Sequence, residues 1–499
     1  MDIREAKQEI KKAVRAYTAK TEAGTFRIPQ KRQRPILLMG PPGVGKTAIM
    51  EQIARESAIG LVAYTMTHHT RQSAIGLPVL GQKEFDGKSY TVTSYTMSEI
   101  IASVYEQMEK SGCREGILFL DEINCVSETL MPAMLQFLQY KTFGSHRLPE
   151  GWIIVAAGNP PAYNRSVREF DTVTLDRVRR MDIEPDLGVW KEYAIERGLH
   201  PAVLSFLDLR PERFYVMEPG HAGFVTGRAW EDLSEILLTM EELGLGVEEA
   251  LFGQYLQDED TAREFAFYYR LYERWKERLR PEEILENGVS VSEGWELPAL
   301  PFDERLCIVW LLLQRLLHMG AEYDGQQKLS DSLRYFVEGM DFPKQLKDAE
   351  RQKWETLVKE RLADRKKGLT VRRENGLLSS DEEERERKLG VMLHACIEEL
   401  HLTGAPDVFS EKAREEQEKA GEQRKALVRG MENAAEFICQ SFGENQELIV
   451  FLTGLTEHSV CGGVLKKELP DLQARAEELL GADAREEELR RKLLGHLGY

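Results

Sequence analysis

The stretch GPPGVGKT, from Gly40 to Thr47, decides how the first part of this 499-residue chain folds. It fits the pattern G-x-x-x-x-G-K-[ST] and follows the short apolar run RPILLMG. The residues after it, KTAIMEQIARES, have the apolar spacing of a helix. A glycine-rich turn between a buried strand and a helix is the context that the pattern requires. The sequence therefore predicts a phosphate-binding loop at the carboxyl end of a strand.

The residues of this loop are predicted to surround phosphate groups. Glycines let the loop curl so that its backbone N–H groups point at phosphate oxygens, and the helix that begins near Lys46 adds its positive N-terminus. Lys46 is expected to reach the β- and γ-phosphates, and the Thr47 hydroxyl is expected to ligate magnesium. The predicted nucleotide-binding residues of the loop are Gly40, Pro41, Pro42, Gly43, Val44, Gly45, Lys46, Thr47 and Ala48.

A second motif, ILFLDEIN at Ile117–Asn124, complements the loop. Its apolar residues indicate a buried strand, and two acids follow at the carboxyl end, where open α/β sheets bind their ligands. Asp121 is predicted to hold Mg²⁺, and Glu122 is predicted to polarise the attacking water. The alternative is a helix cap, with Asp121 as the N-cap and Glu122 in the first turn.

The next predicted strand ends in AAGNP, which places Asn159 at its carboxyl end. A side-chain amide there has the right chemistry to orient the water and to sense the γ-phosphate. Asn before Pro is also typical of a simple turn. The spacing alone leaves both interpretations open.

Three arginines fall within four positions in TLDRVRR, at Thr174–Arg180. They either complete a helix end, where cations near the last carbonyls are favourable, or act on a nucleotide bound elsewhere. A guanidinium is planar and always charged, so it can neutralise the charge that spreads over phosphoryl oxygens during hydrolysis. The sequence does not decide which of Arg177, Arg179 and Arg180 has that task.

The order of the predicted elements indicates two kinds of structure. As far as about residue 185, strands alternate with helices, which predicts a parallel sheet covered on both faces. A hairpin with a glycine turn is expected in KTFGSHRLPEG, at residues 141–151. Beyond residue 185 almost every segment has helical spacing, and the polar stretch 366–384 is the best candidate for a linker.

The composition is that of a soluble globular protein, with 42% hydrophobic residues, 30% charged residues and a net charge of -18. This charge argues against a surface that binds nucleic acid or adsorbs to membranes, because both need basic fields, although it does not exclude a local basic pore or groove. The N-terminal MDIREAKQEIKKAV reads as a charged amphipathic helix, and the apolar run Cys307–Met319 reads as a buried helix. A cytoplasmic protein with no membrane contact and reduced cysteines is the expectation.

Taken in this order, the motifs GPPGVGKT, LFLDEIN, AAGNPPAYN…LDRVRR and VTGRAWEDLS resemble those of AAA+ ATPases, and within them the MoxR-like group. The resemblance covers roughly residues 30–290. It implies an α/β P-loop AAA+ core at 1–185, in which helices sandwich a parallel sheet. It further implies a helical lid at 186–290, and the helical spacing of the residues that follow predicts an all-α C-terminal extension at 291–499. The stretch His68–Leu80 lies where such proteins carry an extra loop facing the pore of their ring.

The resemblance also implies roles for individual residues. Asn159 is similar to the sensor-1 residue, Arg177 to the arginine finger, and Arg228 to the sensor-2 arginine, which opens a lid helix and contacts the γ-phosphate. In AAA+ rings the finger reaches the ATP of the next subunit, so hydrolysis depends on assembly. ATP and Mg²⁺ are the implied cofactors. The implied activity is ATP hydrolysis by a homo-oligomeric ring, expected to be a hexamer. This ring would act as a chaperone that remodels a separate protein with a von Willebrand factor A domain.

Two other functions stay open. A nucleic-acid motor could use the same ATPase, although the acidic balance counts against it. A scaffold in which nucleotide only fixes assembly is the other alternative, and the presence of Lys46, Asp121 and Glu122 speaks against that. For Arg228, the alternative is an arginine that lies along a helix surface.

Overall fold

The computed structural model describes residues 1–68, 71–163, 167, 170–217, 223–288, 297–338, 348–374, 380–403, 407–479 and 481. The chain forms two compact units by its internal packing. The first unit comprises Met1–Val189 and Tyr215–Ala229, and the second comprises Trp190–Phe214 and Trp230–Tyr499. The predicted boundaries of core, lid and extension, at residues 185 and 290, stay predictions.

The first unit is built on a five-stranded parallel sheet in the order β2–β5–β8–β1–β9. The three central strands are almost wholly buried, as expected for a sheet covered on both faces. The predicted α/β core is therefore confirmed, and so are the strands predicted before the phosphate loop, in ILFLDEIN and before Asn159. The strands of this sheet are β1 Ile36–Met39, β2 Gly60–Thr65, β5 Gly116–Asp121, β8 Trp152–Gly158 and β9 Arg179–Asp182.

Two hydrophobic cores lie on opposite faces of this sheet, because alternate residues of a strand point to opposite sides. Ile117 contributes to the core that contains α1 and α2, and its neighbour Leu118 contributes to the core that contains α3, α4 and α5. The helices of the first unit are α1 Ile3–Thr18, α2 Ala48–Ser57, α3 Arg71–Ile75, α4 Glu99–Ser111, α5 Met131–Tyr140 and α6 Thr172–Leu175.

Two antiparallel hairpins accompany the sheet. The shorter pairs β6 Thr142–Phe143 with β7 His146–Arg147, and it confirms the hairpin predicted at residues 141–151. The longer pairs β3 Pro78–Phe85 with β4 Lys88–Tyr95 around Asp86 and Gly87, which both have positive φ. The expected extra loop at His68–Leu80 is therefore only partly irregular, since α3 and the first residues of β3 lie within it.

Every secondary-structure element that the structure describes in the second unit is a helix, which confirms the predicted all-α C-terminal region. Its longest helices, α13 and α16, pack along one another, and the apolar run at residues 307–319 is a buried part of α13. The remaining helices of the chain are α7 Leu187–Glu196, α8 Pro201–Leu209, α9 Gly227–Glu242, α10 Glu249–Tyr255, α11 Glu259–Arg278, α12 Pro281–Asn287, α13 Phe302–Glu338, α14 Asp348–Glu374, α15 Ser380–Thr403, α16 Val408–Phe442, α17 Gln446–Glu457 and α18 Ser459–Glu468.

No single described helix is both long and apolar enough to span a membrane. The bent pair of α17 and α18 reaches the required length and hydropathy only when the two helices are taken together.

The linker predicted at residues 366–384 is wrong for the residues that the structure describes. Helix α14 continues to Glu374, and α15 starts at Ser380. The two helices are joined by ion pairs, including Arg365–Glu386 and Arg373–Glu383, in each of which two guanidinium nitrogens donate to the two carboxylate oxygens. A stretch rich in charged residues is therefore helical here because its charges pair between neighbouring helices.

Candidate functional site

The phosphate loop, Gly40–Thr47, leaves the carboxyl end of β1 and leads into α2. Gly43 and Gly45 have φ values of 76° and 88°, which L side chains rarely adopt. A Cβ atom on Gly43 would also lie only 2.8 Å from the side chain of Thr226. The glycines are thus required by backbone conformation and by close packing, and they let the loop curl as the sequence predicts.

Lys46 is buried at the centre of this loop. Its Nζ donates to the carbonyl oxygens of Gly40 at 2.8 Å and Pro41 at 2.9 Å, and to Asn159 Oδ1 at 3.0 Å. Burial lowers the pKa of Lys46 to about 8, whereas the nearby carboxylate of Asp121 raises it. The ammonium group therefore lies where a polyanion would replace its carbonyl partners and favour its charged form.

The acidic pair lies at the end of β5, at the same edge of the sheet as the phosphate loop. Asp121 Oδ2 accepts a hydrogen bond from Thr47 Oγ1 at 2.9 Å, and Asp121 Oδ1 accepts one from the backbone N–H of Glu122 at 2.9 Å. A hydroxyl and a carboxylate are oxygen donors of the kind that Mg²⁺ prefers, so these two residues fit the predicted metal. Within the described ranges, no group of three or more His, Cys, Asp or Glu side chains could hold a metal ion. A magnesium ion here would therefore rely on phosphate and water ligands as well.

Glu122 adopts a backbone conformation that non-glycine residues seldom take, with φ 53° and ψ 37°. Its carboxylate Oε2 accepts a hydrogen bond from Thr67 Oγ1 at 3.0 Å. Thr67 lies in the short turn that follows β2, the strand next to β5. Sequence reasoning missed Thr67, because a single threonine after a strand has no distinguishing pattern.

Asn159 follows β8 directly, and its side chain reaches Lys46. A second asparagine, Asn124, supports it: Asn124 Nδ2 donates to the backbone oxygen of Asn159 at 2.8 Å from a fully buried position. The contact depends on Gly158, where a Cβ atom would lie 2.5 Å from Asn124 Oδ1. Asn124 lies within the ILFLDEIN motif, so its position near the site was predictable, but its contact with Asn159 was not.

The segment Tyr215–Ala229 brings distant residues to the phosphate loop. The Tyr215 hydroxyl donates to the Pro42 carbonyl oxygen at 3.0 Å, and burial raises the pKa of that tyrosine. Arg228, in the first turn of α9, is close enough for its charge to contribute to the lowered pKa of Lys46. The positive charges of Lys46 and Arg228 therefore act on each other, as expected where an anion binds between two cations. Tyr215 and Thr226 had no sequence motif of their own.

The three clustered arginines have different surroundings. Arg179 forms an ion pair with Glu9 of α1, and Arg180 forms one with Asp182 at 2.7 Å. Arg177 lies between α6 and β9, is exposed, and makes no ion pair within the described part of the chain. Val178, between the arginines, is buried in the core. Of the three side chains, Arg177 is the one without a described ion pair, although its charge contributes to the lowered pKa of Asp171.

Comparison with known families gives a match over the sheet and its connections. Residues 36–183 match the family model described as ATPase family associated with various cellular activities (AAA). A comparison with curated proteins returned no match. The matched segment runs from the first residue of β1 to just beyond β9, and it contains the phosphate loop, the acidic pair and Asn159. Residues 36–183 are therefore an AAA domain, of a family whose domains generally bind nucleotide and hydrolyse ATP.

Proposed function

We propose that the protein is a MoxR-like AAA+ chaperone that hydrolyses ATP to remodel a protein partner. One observation carries this proposal: Asn159 is hydrogen-bonded to Lys46, Asp121 is hydrogen-bonded to Thr47, and the charges of Asp121, Glu122 and Arg228 all act on Lys46. Groups that bind phosphate, hold a metal and activate water are thus gathered at a single site. A structure that only stored nucleotide would not need Glu122 there.

The proposed mechanism assigns one task to each side chain. Lys46 leaves the carbonyl oxygens of the loop and neutralises the β- and γ-phosphates, and Arg228 contacts the γ-phosphate in the same subunit. Thr47 and Asp121 would hold Mg²⁺, which would supply neutralisation of the phosphate charge. Asn159 orients the attacking water.

Glu122 polarises that water and receives its proton while the water oxygen bonds to the γ-phosphorus atom. The bond from that phosphorus to the β–γ bridging oxygen breaks, and the products are ADP and phosphate. The hydrogen bond from Thr67 Oγ1 to Glu122 Oε2 holds the carboxylate turned toward Thr67, and we propose that the carboxylate is released from this bond when it turns to the water. The base is thus restrained until the nucleotide is in place.

Arg177 is the proposed arginine finger. It is exposed and free of ion pairs in the described ranges, whereas Arg179 and Arg180 are engaged within the chain. In the proposed homo-oligomeric ring of six subunits, Arg177 contacts the ATP of the neighbouring subunit. This arrangement makes hydrolysis depend on assembly.

The proposed substrate is a separate protein with a von Willebrand factor A domain, and the proposed location is the cytoplasm. The net charge of -18 supports a protein partner over nucleic acid. Glu122→Gln is the variant to test this, because it keeps the shape of the site and removes the base, so that bound ATP and bound partner are retained together.

The experiment compares affinity capture by Glu122→Gln in ATP with capture by Glu122→Gln in ADP. A protein with a von Willebrand factor A domain that is enriched only with ATP would support the proposal. Lys46→Ala, which lacks the phosphate contact, should recover no such partner. Recovery of this chain alone in both nucleotides, from extracts of the source organism, would contradict the remodelling function.

A further inference from the structure

An open cleft of about 860 Å³ lies between α14 and α15 in the second unit. The two helices are antiparallel, as the Arg365–Glu386 and Arg373–Glu383 pairs require. The floor of the cleft is apolar, and it is formed by Leu362 and Leu369 of α14 and by leucines of α15. The leucines that α15 contributes, Leu389 and Leu393, belong to the buried core beneath. The cleft is therefore a groove above a continuous core.

The groove stays open at a glycine. Gly390 lies in the interior of α15 and lines the groove, and a Cβ atom there would meet no heavy atom within 4 Å. Its neighbour Val391 also lines the groove and is 64% exposed. Glycine in a helix interior is destabilising relative to alanine, so it is usually kept where something must approach closely. Among the described residues, His394 reaches the Gly390 carbonyl oxygen at 2.8 Å, but the space that a Gly390 side chain would enter stays empty.

The rim of the groove carries unpaired positive charge. Lys359, Lys366 and Arg387 line it, and in the part of the chain that the structure describes none of them has an ion pair or a side-chain hydrogen bond. Among the carboxylates that line it, those of Glu383 and Glu386 are held by arginines. Only Glu398 remains unpaired among the described lining carboxylates. The surface is thus locally basic in a chain whose net charge is -18.

The dimensions of the groove match one helix. The α14 residues that line it extend from Lys359 to Arg373, a length of about 21 Å at the rise of an α-helix. An amphipathic helix of about 14 residues has this length, and it would place one apolar residue on the floor at each turn. Its flanks would lie against the cations of the rim.

We propose that this groove docks an amphipathic helix of a protein partner. The helix has leucine-sized residues on one face and glutamates or aspartates beside them, which pair with Lys359, Lys366 and Arg387. The inference rests on the proposed function in one respect, since a remodelling ATPase must hold its partner. Docking itself needs no hydrolysis, so the two proposals can fail separately.

The test measures binding of a fluorescein-labelled helical peptide to the full-length protein by fluorescence anisotropy. The probe has about 16 residues, with leucines at helical spacing and glutamates on both flanks. A peptide with lysines in place of the glutamates, a DNA duplex and vesicles of anionic lipid are the comparison ligands. We expect the acidic peptide to bind at least about tenfold more tightly than the lysine peptide. The affinity for the acidic peptide should fall as the salt concentration rises.

Gly390→Phe fills the groove and should weaken the binding of the acidic peptide about tenfold. Gly368→Phe is the matched control, because Gly368 also lies in a helix interior with open space above it but does not line the groove. The triple variant Lys359→Glu, Lys366→Glu, Arg387→Glu should instead prefer the lysine peptide, a reversal that unfolding cannot produce. Glu122→Gln protein should bind the acidic peptide as the unaltered protein does, which separates docking from hydrolysis.

Equal binding of the acidic and lysine peptides would overturn the proposal, and so would equal effects of Gly390→Phe and Gly368→Phe. Binding of DNA or of vesicles that Gly390→Phe abolishes would reassign the groove to that ligand and would also overturn it.

Discussion

Asn124 connects the two halves of the proposed catalytic site through a single hydrogen bond. It lies just beyond the acidic pair, and its amide holds the backbone oxygen of Asn159, at the end of β8. Because this bond fixes the backbone from which the Asn159 side chain extends, Asn124 is a positioning residue. Its loss should misplace the water-orienting amide without removing any phosphate contact.

Asn124→Leu should therefore lower kcat for ATP hydrolysis about tenfold to hundredfold and change the Kd for ATP by less than about threefold. Steady-state hydrolysis and fluorescent-nucleotide binding measure the two quantities. The double variant with Asn159→Ala should be no slower than Asn159→Ala alone, because both changes act through one group. Fully additive losses, or a large loss of ATP affinity, would contradict this role.

Lys141 is a buried cation that the catalytic site does not use. It is 2% exposed, its described partner is Gln33 Oε1 at 3.3 Å, and burial lowers its pKa from 10.5 to about 8. Between these values the unfolded chain binds a proton that the folded chain does not. The free energy of unfolding therefore rises with pH across this window, by about 3 kcal/mol at most, and the full cost of the charge is present below the folded pKa.

Lys141→Met should remove this rise, because the buried charge is gone. It should increase the free energy of unfolding near neutral pH by about 1–2 kcal/mol. The gain is smaller than the cost of the charge because Gln33 loses its hydrogen-bond donor. Urea unfolding of both proteins between about pH 7 and pH 10.5 measures the effect, with the exposed Lys110→Met as control. Parallel pH profiles for Lys141→Met and the unaltered protein would exclude this account of the buried lysine.

At the scale of secondary-structure elements, the central strands were predictable because burial on both faces leaves a continuous apolar run. Residues 36–39, 117–120 and 152–157 have that composition, and the phosphate loop and the acids end two of these strands. The β3–β4 hairpin has exposed faces and no such run, so only its Asp86–Gly87 turn could have indicated it. Sequence reasoning thus located the elements whose burial dictates their composition.

Pairing between elements was not predictable in the same way. The stretch at residues 366–384 was interpreted as a linker because its charges look like those of a solvated segment. Arg365–Glu386 and Arg373–Glu383 join residues 21 and 10 positions apart, and neither separation is a helical repeat. Sequence reasoning missed the contacts of Thr67, Asn124 and Tyr215 for the same reason, because each contact joins distant parts of the chain.

The turn after β2 restrains the catalytic base at the end of β5, and the Thr67–Glu122 bond should therefore suppress hydrolysis in the absence of a partner. Thr67→Val keeps the shape and removes the donor. We expect it to raise the basal rate of ATP hydrolysis about threefold to tenfold, the scale of the net contribution of one ordinary hydrogen bond. Thr67→Ser retains the hydroxyl and should behave as the unaltered protein does. A fall in the basal rate of Thr67→Val would show that Thr67 aids Glu122 instead of restraining it.

At the scale of the whole molecule, the AAA domain does not contain its complete site within the matched residues 36–183. Arg228, Thr226 and Tyr215 come from a later segment that folds with the first unit. Arg177 has the opposite relation, because it lies within the matched domain but is free of ion pairs in the described residues of its own chain. Assembly into the proposed ring would bring the exposed Arg177 of one subunit to the proposed nucleotide site of the next.

Mixed rings test this arrangement directly. Arg177→Ala subunits keep a complete site but offer no finger, and Glu122→Gln subunits offer a finger but lack the base. Each protein alone should be nearly inactive, whereas an equal mixture should regain hydrolysis at about a quarter of its interfaces, where the two intact parts meet. Mixing either protein with the Arg177→Ala, Glu122→Gln double variant controls for effects of assembly and should restore less.

Arg180→Ala should hydrolyse ATP as the unaltered protein does, because its described partner is Asp182 two residues away. Arg179→Ala loses the ion pair between Arg179 of β9 and Glu9 of α1, so it should lower the free energy of unfolding. Arg177→Ala should leave the free energy of unfolding unchanged. If equal mixtures of Arg177→Ala and Glu122→Gln stay inactive while both proteins assemble and bind ATP, Arg177 does not act across subunits. The dependence of hydrolysis on assembly would then need another residue to explain it.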